Sequence, residues 1–456
     1  MAKQLTCVIL AAGKGTRLKR KDAKPLLPLL GKSLIDYVLL PVNQLSCSVD
    51  FSVIVGHQKE QIKNYLNEKN NFEFIDQDQQ LGTGHALQEF AKQTQLSNEN
   101  ILVLCADTPL INQDILENFI SDFEESNVQA SVLGFNARNP FGYGRIKTFN
   151  NGVSIIEEKE ASTEEKKINL VNSGIYLFKK SFLVENLSKL SNKNNSGELY
   201  LTDLFQENLP VKTFSSIEDE KIFMGINDLV QLSEATQIIQ QSIIEKHQRN
   251  GVLFKSPSSN IIEFDVTIEP DSIIGANVEL YGQTIIKEEV SIDAGSVITD
   301  STINANTHIK PYSVIESSEI GSHCQIGPFA RIRPKSNIGE NSKIGNFVET
   351  KKVNLSSNVK VSHLSYVGDA EVGENTNIGC GFITCNYDGK NKHVTTIGKN
   401  CFIGSDSQTI APINIGDSCF VASGTTVNKD MPDNSFGISR GRLEVKEGIA
   451  SRFIKK

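Results

Sequence analysis

The chain of 456 residues has no tryptophan, and none of its eight cysteines (Cys7, Cys47, Cys105, Cys324, Cys380, Cys385, Cys401, Cys419) forms a CxxC pair. Scattered thiols without paired spacing exclude a disulfide framework or a zinc ribbon and predict reduced cysteines in a cytosolic protein. Basic charge is not in excess: 46 Lys and Arg face 54 Asp and Glu, a net charge of −8. Neither nucleic acid nor a membrane surface is therefore expected as the main partner. Long apolar runs are also lacking. The N-terminal run, residues 7–12, ends in Gly-Lys-Gly and is too short for a signal peptide or a span, so a cytoplasmic location is expected. The length leaves room for two or three domains.

What is present is a period. From residue 268 an aliphatic side chain returns every six positions: Ile268, Ile274, Leu280, Ile286, Ile292, Ile298. The count slips by one before Ile303, Ile309, Ile315, and again before Ile320, Ile326, Ile332, Ile338, Ile344. It resumes at Val361, Val367, Val372, Ile378 and at Ile397, Ile403, with Thr409 in the aliphatic slot, then Ile415, Val421, Val427. Gly often follows, as at Gly275, Gly321 and Gly404. A hexapeptide β-solenoid demands this period, because each coil has three flat faces and each face turns one aliphatic residue inward. Roughly nine coils, about 40 Å of prism, are expected. The rhythm is weak between Thr350 and Ser362, an insertion lies between Thr384 and Thr396, and after Val427 the rhythm stops. The tail that follows is basic: Arg440, Arg442, Lys446, Arg452, Lys455, Lys456.

Residues 1–228 alternate strand-like segments (6–10, 51–55, 101–104, 131–135) with helix-like ones (59–67, 114–124). That alternation predicts a mostly parallel, Rossmann-like α/β sheet. Residues 229–250 carry Val230, Leu232, Ala235, Ile238, Ile239, Ile243 and Ile244 at helical spacing, predicting a linker helix capped by Asn227 or Asp228 and ended by Gly251. The remainder, 251–456, is the solenoid with its tail.

Near the N-terminus, Leu10-Ala11-Ala12-Gly13-Lys-Gly-Thr-Arg17 runs strand, tight turn, helix start. Glycine lets backbone N–H groups approach an anion, and Arg17 and Lys24 add charge suited to a polyphosphate. The spacing is neither Walker A nor GxGxxG. Together with Lys24-Pro-Leu-Leu-Pro-Leu, the string resembles the signature of sugar-1-phosphate nucleotidylyltransferases. Gln80-Leu-Gly82-Thr83-Gly-His-Ala, with Gln77 upstream, resembles that family's base and ribose loop. Cys105-Ala-Asp107 resembles its metal-binding turn. Gly142-Tyr-Gly144-Arg-Ile-Lys and Val171-Asn172-Ser-Gly-Ile resemble its sugar loops, and Glu157 is placed with them. Taken alone, Asp107 reads rather as a helix N-cap or turn carboxylate before Thr-Pro. The resemblance makes Asp107 and Asn227 expected Mg²⁺ ligands, in keeping with an ion that takes few carboxylates and keeps its waters. His85 is expected to be structural.

In the solenoid, Pro328-Phe-Ala-Arg-Ile-Arg-Pro334, Gly345-Asn-Phe-Val-Glu349, Ser362-His-Leu-Ser-Tyr-Val-Gly-Asp369 and Cys385-Asn-Tyr-Asp-Gly389 resemble one family. It is the bacterial bifunctional N-acetylglucosamine-1-phosphate uridylyltransferase and glucosamine-1-phosphate N-acetyltransferase, and the resemblance covers essentially the whole chain. It implies a left-handed parallel β-helix, a homotrimer, and the substrates UTP, acetyl-CoA and the two sugar phosphates. It implies His363 as catalytic base, Arg333, Lys351, Tyr366 and Asn377 as sugar-phosphate ligands, and Cys380, Asn386, Tyr387, Ser405, Ser423 and Arg440 along acetyl-CoA. A neutral imidazole suits proton removal from an amine near pH 7. The sequence departs from the family at Ala23 (commonly Pro), Cys105-Ala106 (commonly Tyr-Gly), Cys380 and Ser423 (usually Ala). Two other readings stand beside it. The solenoid could be an inert module behind a single nucleotidylyltransferase, or a metal-dependent lyase using His308, His323, His363 and His393, whose spacings do not match a rung repeat.

Overall fold

The computed structural model describes residues 4–69 and 72–454. Expectations for Lys455 and Lys456 lie outside the described residues. The chain divides into two compact units, 1–239 and 240–456, so the division falls inside the helix Leu229–Arg249.

The first unit is built on a nine-stranded sheet. Its main order is Val211–Ser216, Ala130–Asn136, Leu170–Lys179, Asn100–Cys105, Gln4–Ala11, Ser48–Val55, Glu73–Asp76. Leu170–Lys179 runs antiparallel to both neighbours and the other neighbours pair parallel. A hairpin, Arg145–Phe149 with Gly152–Ile156, joins through Val171. Strand Gln4–Ala11 sits centrally because Cys7, Val8 and Ile9 are apolar without alternation and are fully buried, as a strand covered on both faces requires. The chain leaves this strand toward Ser48–Val55 on one side and returns as Asn100–Cys105 on the other. The crevice beyond the carboxyl ends of these two strands is a topological switch point, where open α/β sheets bind ligands. Helix Lys59–Asn67 has the expected bounds, and Gln113–Glu125 extends the expected one by a residue at each end.

Helix Leu229–Arg249 is capped by Asp228, whose Oδ1 accepts from the amides of Val230 and Gln231 at 3.0 and 2.9 Å. Ala235, Ile239, Ile243 and Ile244 are buried, but Val230, expected on the apolar stripe, is 68% exposed at the first turn. Among the described residues no helix is long and apolar enough to cross a membrane.

In the second unit the three faces stack in parallel register. Ile274, Ile292, Ile309, Ile326, Ile344, Val361, Ile378, Ile403 and Val421 form one inward column on the first face. Each such fully buried aliphatic contributes about 2 kcal/mol of transfer free energy. The first face has eleven strands, from Leu253–Phe254 to Phe436–Gly437. Ten intervals at strand spacing give about 48 Å, longer than the roughly nine coils the period predicts. The ladder therefore begins before residue 268 and continues past Val427. It was hidden at both ends because the terminal coils lack repeating neighbours, and the last one puts Gly437 in the inward slot. The open edge of the first coil is blunted by the linker helix. The Gln240 side chain donates to Ile262 O and accepts from Ile262 N, mimicking a strand.

The slips have one location. Ile298 to Ile303, Ile315 to Ile320, Thr350 to Leu355 and Val367 to Val372 all cross the corner between the second and third faces. The stretch after Thr350, expected as a disturbed coil, is a correction. Strand Glu349–Leu355 passes continuously round that corner and pairs with Tyr366–Val372 at Glu349, Thr350, Lys351, Val353, Asn354 and Leu355. Rhythm is lost there because a five-residue corner shifts the period, and the stacking is unbroken. The insertion at 386–393 is a true excursion, at the same corner. Thr409 is tolerated inside because its hydroxyl pairs with that of Thr395 at 3.2 Å. Corner positions elsewhere hold small donors that reach a carbonyl of the next coil. Thr307 and Ser365 do so, and Cys324, Cys401 and Cys419 take the same role. These thiols are structural.

Candidate active sites

In the first unit, two cavities meet at one carboxylate. The first, of about 300 Å³, is lined by Leu10, Ala11, Ala12, Gly13, Lys24, Gln77, Gly82, Thr83 and Asp107 among the expected residues. The second, of about 470 Å³, is lined by Arg17, Asp107, Gly144, Asn172 and Asn227. Cys105 and Asp107 border both.

Local folding explains the placement. Gly82 sits at φ +113°, and a Cβ there would lie 2.5 Å from Leu199 O, so the loop that opens helix Thr83–Gln93 can close only on glycine. Gln77 is buried and donates to Gly82 O at 3.1 Å, with His85 Nδ1 at the same distance from its amide nitrogen. His85 thus braces Gln77, a structural part. Asp107 follows strand Asn100–Cys105 directly, and its carbonyl accepts from Ile226 N at 2.8 Å, bringing Asn227 alongside. The Lys24 ammonium donates to the Asp107 carboxylate and, at 3.1 Å, to Asn227 Oδ1. Arg17 donates to the same Asn227 oxygen at 2.7 Å. Two hard oxygen donors therefore converge on one cation, with a second cation beside them.

On the other wall, Asn172 accepts from Gly174 N at 2.9 Å and donates to the Tyr176 hydroxyl at 2.7 Å, while its own amide donates to Gly144 O at 2.9 Å. Glu157 lines neither cavity. Its carboxylate accepts from the Thr202 hydroxyl at 2.9 Å near Gly144, and burial pushes its pKa up. Burial also raises the Cys105 thiol to about 12, so this departure from the family's tyrosine is a neutral wall. Sequence reasoning passed over Gln80, Phe141, Tyr143 and Gln231 as lining residues. The first three lie inside or beside the family strings, and Gln231 enters only because the linker helix starts at the cavity.

In the second unit, Arg333, Lys351 and Tyr366 share the outer second face. Arg333 registers with Lys351, and Glu349, one pleat away, registers with Tyr366. Arg333 donates to Glu349 at 2.8 Å. The excursion 386–393 is ordered from within: Asp388 accepts from the amides of Lys390 and Asn391 and pairs with His393 at 2.8 Å. Those contacts hold the Asp388 carboxyl well below its usual range. The excursion places Lys392 against Lys351, and the neighbouring ammonium lowers the Lys351 pKa. Two lysines held together near Arg333 form a cationic pocket suited to an anion. Lys392 belongs with the expected phosphate ligands, although only its position in the excursion pointed to it.

The edge between the first and second faces carries the other set. His363 Nδ1 lies 2.7 Å from Asn346 Oδ1, one coil earlier. An amide oxygen only accepts, so Nδ1 carries the proton and Nε2 keeps a free lone pair, the arrangement of a general base. Successive coils continue the edge: Gly381 N donates to His363 O, Asp406 N to Cys380 O, and Gly424 N to Ser405 O. Arg440 Nε then donates to Ser423 O at 2.9 Å. His363, Cys380, Ser405, Ser423 and Arg440 thereby lie along one line. Asn377 is apart from Tyr366, on the first face between Lys360 and Phe402. Tyr387 is 61% exposed, whereas Asn386 is buried and donates to Asp369 at 2.6 Å, anchoring the excursion. Among the described residues no group of three or more His, Cys, Asp or Glu could hold a metal ion, which leaves the lyase reading without a site.

Comparison with known proteins finds family models that match parts of both units. A nucleotidyl transferase family model matches residues 6–219, a GMPPB C-terminal domain model 258–336, and a hexapeptide repeat of succinyl-transferase model 394–429. The bifunctional protein GlmU of Staphylococcus haemolyticus (strain JCSC1435) is 42% identical over 455 residues, covering 98% of this chain and 100% of the relative. That of Listeria monocytogenes serotype 4a (strain HCC23) is 40% identical over 449 residues, covering 97% of each.

Proposed function

The chain belongs to the family of bifunctional GlmU proteins, and from that premise we propose how its two units divide the work. The solenoid N-acetylates glucosamine 1-phosphate from acetyl-CoA. The α/β unit then joins N-acetylglucosamine 1-phosphate to UTP, releasing pyrophosphate and UDP-N-acetylglucosamine. The observation that carries this reading is the meeting of two cavities at Asp107, flanked by Lys24 and Arg17. The reaction needs a triphosphate on one side, a sugar phosphate on the other, and fixed positive charge between them.

In the first cavity the backbone of 10–13 and Lys24 face the triphosphate, with Arg17 adding its charge from the second-cavity side and Gln77, Gly82 and Thr83 around the base and ribose. Gly144 and Asn172 take the sugar, with Glu157 packed beside Gly144. Asp107 and Asn227 fit Mg²⁺: their oxygens already converge on the Lys24 ammonium, and a sparse pair of oxygen donors suits an ion that keeps water and phosphate oxygens. When bound, the ion neutralises phosphate charge. In the solenoid, His363 Nε2 takes the amine proton and Arg333, Lys351, Lys392 and Tyr366 hold glucosamine 1-phosphate, while Asn377, on another face, joins such a site because the acetyl sites lie between subunits of the trimer. The groove of Cys380, Asn386, Tyr387, Ser405, Ser423 and Arg440 takes acetyl-CoA, with direct acyl transfer and no role for Cys380 as nucleophile. The assembly is a homotrimer of left-handed solenoids in the cytoplasm.

The test supplies glucosamine 1-phosphate, acetyl-CoA, UTP and Mg²⁺, then omits each in turn. Omitting acetyl-CoA should leave the amine unreacted, and omitting UTP or Mg²⁺ should stop the reaction at N-acetylglucosamine 1-phosphate. Release of pyrophosphate with no consumption of the amine would favour the inert-solenoid reading.

A further inference from the structure

Among the described residues Arg145 is the largest fully buried side chain, at 2% exposure, and it has no part in the proposed chemistry. Its guanidinium donates to the Tyr143 carbonyl, reaches Lys166 O at 3.5 Å, and pairs with Glu158 at 2.6 Å. Its Nε is buried without a partner. Glu158 in turn accepts from Gly142 N at 3.2 Å. Burial alone would push the Glu158 pKa up, but Arg145 and the Gly142 amide outweigh it and hold the carboxyl below its usual range. One ion pair therefore grips two peptide groups of the loop 141–144, the Gly142 N–H and the Tyr143 C=O. That loop lines the second cavity through Phe141, Tyr143 and Gly144. Gly142 has φ +88°, and no atom lies within 4 Å of the place a Cβ would take, so packing does not hold it. The Gly144 carbonyl then meets the amide of Asn172 across the strand gap.

We propose that Arg145 and Glu158 are positioning residues for sugar-phosphate binding: their ion pair clips the loop 141–144 at the height where Tyr143 and Gly144 complete the second cavity opposite Asn172. The proposal rests on reading that cavity as the sugar-phosphate subsite. A purely structural pair would lower stability without separating the two substrates. A clip on one wall affects the sugar phosphate and spares the nucleotide.

The experiment uses the purified full-length chain. Glu158→Gln keeps the shape and removes the charge. It is expected to raise KM for N-acetylglucosamine 1-phosphate on the order of tenfold, with KM for UTP and the acetyl-transfer rate within about twofold of wild type. The double variant Arg145→Met with Glu158→Leu leaves no uncompensated buried charge and should behave alike. An unchanged sugar-phosphate KM in either variant overturns the clip. So does an equal rise in both constants, or a parallel loss of acetyl transfer, which would assign the pair to folding. If wild type itself forms no pyrophosphate from UTP and N-acetylglucosamine 1-phosphate, the subsite reading fails instead.

Discussion

The two units place chemistry in opposite ways. In the α/β unit the site lies where regular structure ends: strand Gln4–Ala11 gives way to 10–13, strand Asn100–Cys105 gives way to Asp107, and partners arrive from 83 and 203 positions away. In the solenoid, Arg333, Lys351 and Tyr366 sit on the regular face itself, and His363 meets Asn346 at an offset of 17, one coil. A sheet with loops gathers distant residues by topology. A solenoid gathers near residues by repetition, and it needs an excursion to add Asn386, Tyr387 and Lys392.

That contrast predicts separable lesions. The largest effect should come from Asp107→Ala, which removes the carboxylate shared by both cavities. Nucleotidyl transfer should fall by about 10³ or more, with acetyl transfer untouched, measured as pyrophosphate release against thiol release from acetyl-CoA. His363→Ala should do the reverse, lowering acetyl transfer by about 10² to 10⁴ while nucleotidyl transfer stays whole. Lys392→Ala tests the excursion: KM for glucosamine 1-phosphate should rise roughly tenfold with little change in the acetyl-CoA constant, because one cation is lost from the anion pocket.

A last effect is on stability and leaves both activities alone; it concerns the helix that spans both units. His247 is buried with Nδ1 unpartnered, and burial pushes its pKa from 6.5 down to about 4. Below pH 6.5 the unfolded imidazole takes up a proton that the folded one refuses, so stability falls as pH drops from about 6.5 to 4. His247→Leu should flatten that window by roughly 3 kcal/mol, read from urea midpoints of the solenoid transition. An equally steep decline in the variant would remove His247 from the account.

Legibility follows the same contrast. The inward ladder could be read residue by residue, because a fixed period leaves one slot per face; even Thr409 was placed. Its ends could not, since Leu253, Phe254 and Phe436 have a neighbouring coil on one side only. The weak stretch after Thr350 looked like a break because a five-residue corner and a lost coil produce the same stutter in sequence. In the α/β unit, Lys24 and Asp107 were legible through family strings, and Asn227 through the metal pair that the resemblance implies. Their convergence on one another was not, and neither was the Arg145–Glu158 pair. These are contacts across a hairpin and a crossover, and no local pattern encodes them. Lys392 stands out beside the insertion without a role, and Asn346 passes unmarked, for a simpler reason: each lies in a motif or insertion visible in the sequence, but only the coil register shows which neighbour it faces.

The central claim is that one chain holds two independent transferases joined by a diffusing intermediate. The direct measurement follows glucosamine 1-phosphate, acetyl-CoA, UTP and Mg²⁺ with Asp107→Ala, with His363→Ala, and with the two variants mixed. The account predicts that Asp107→Ala accumulates N-acetylglucosamine 1-phosphate, that His363→Ala leaves the amine intact, and that the mixture forms UDP-N-acetylglucosamine. Loss of both half-reactions in either single variant, or a mixture that forms no product, would contradict it.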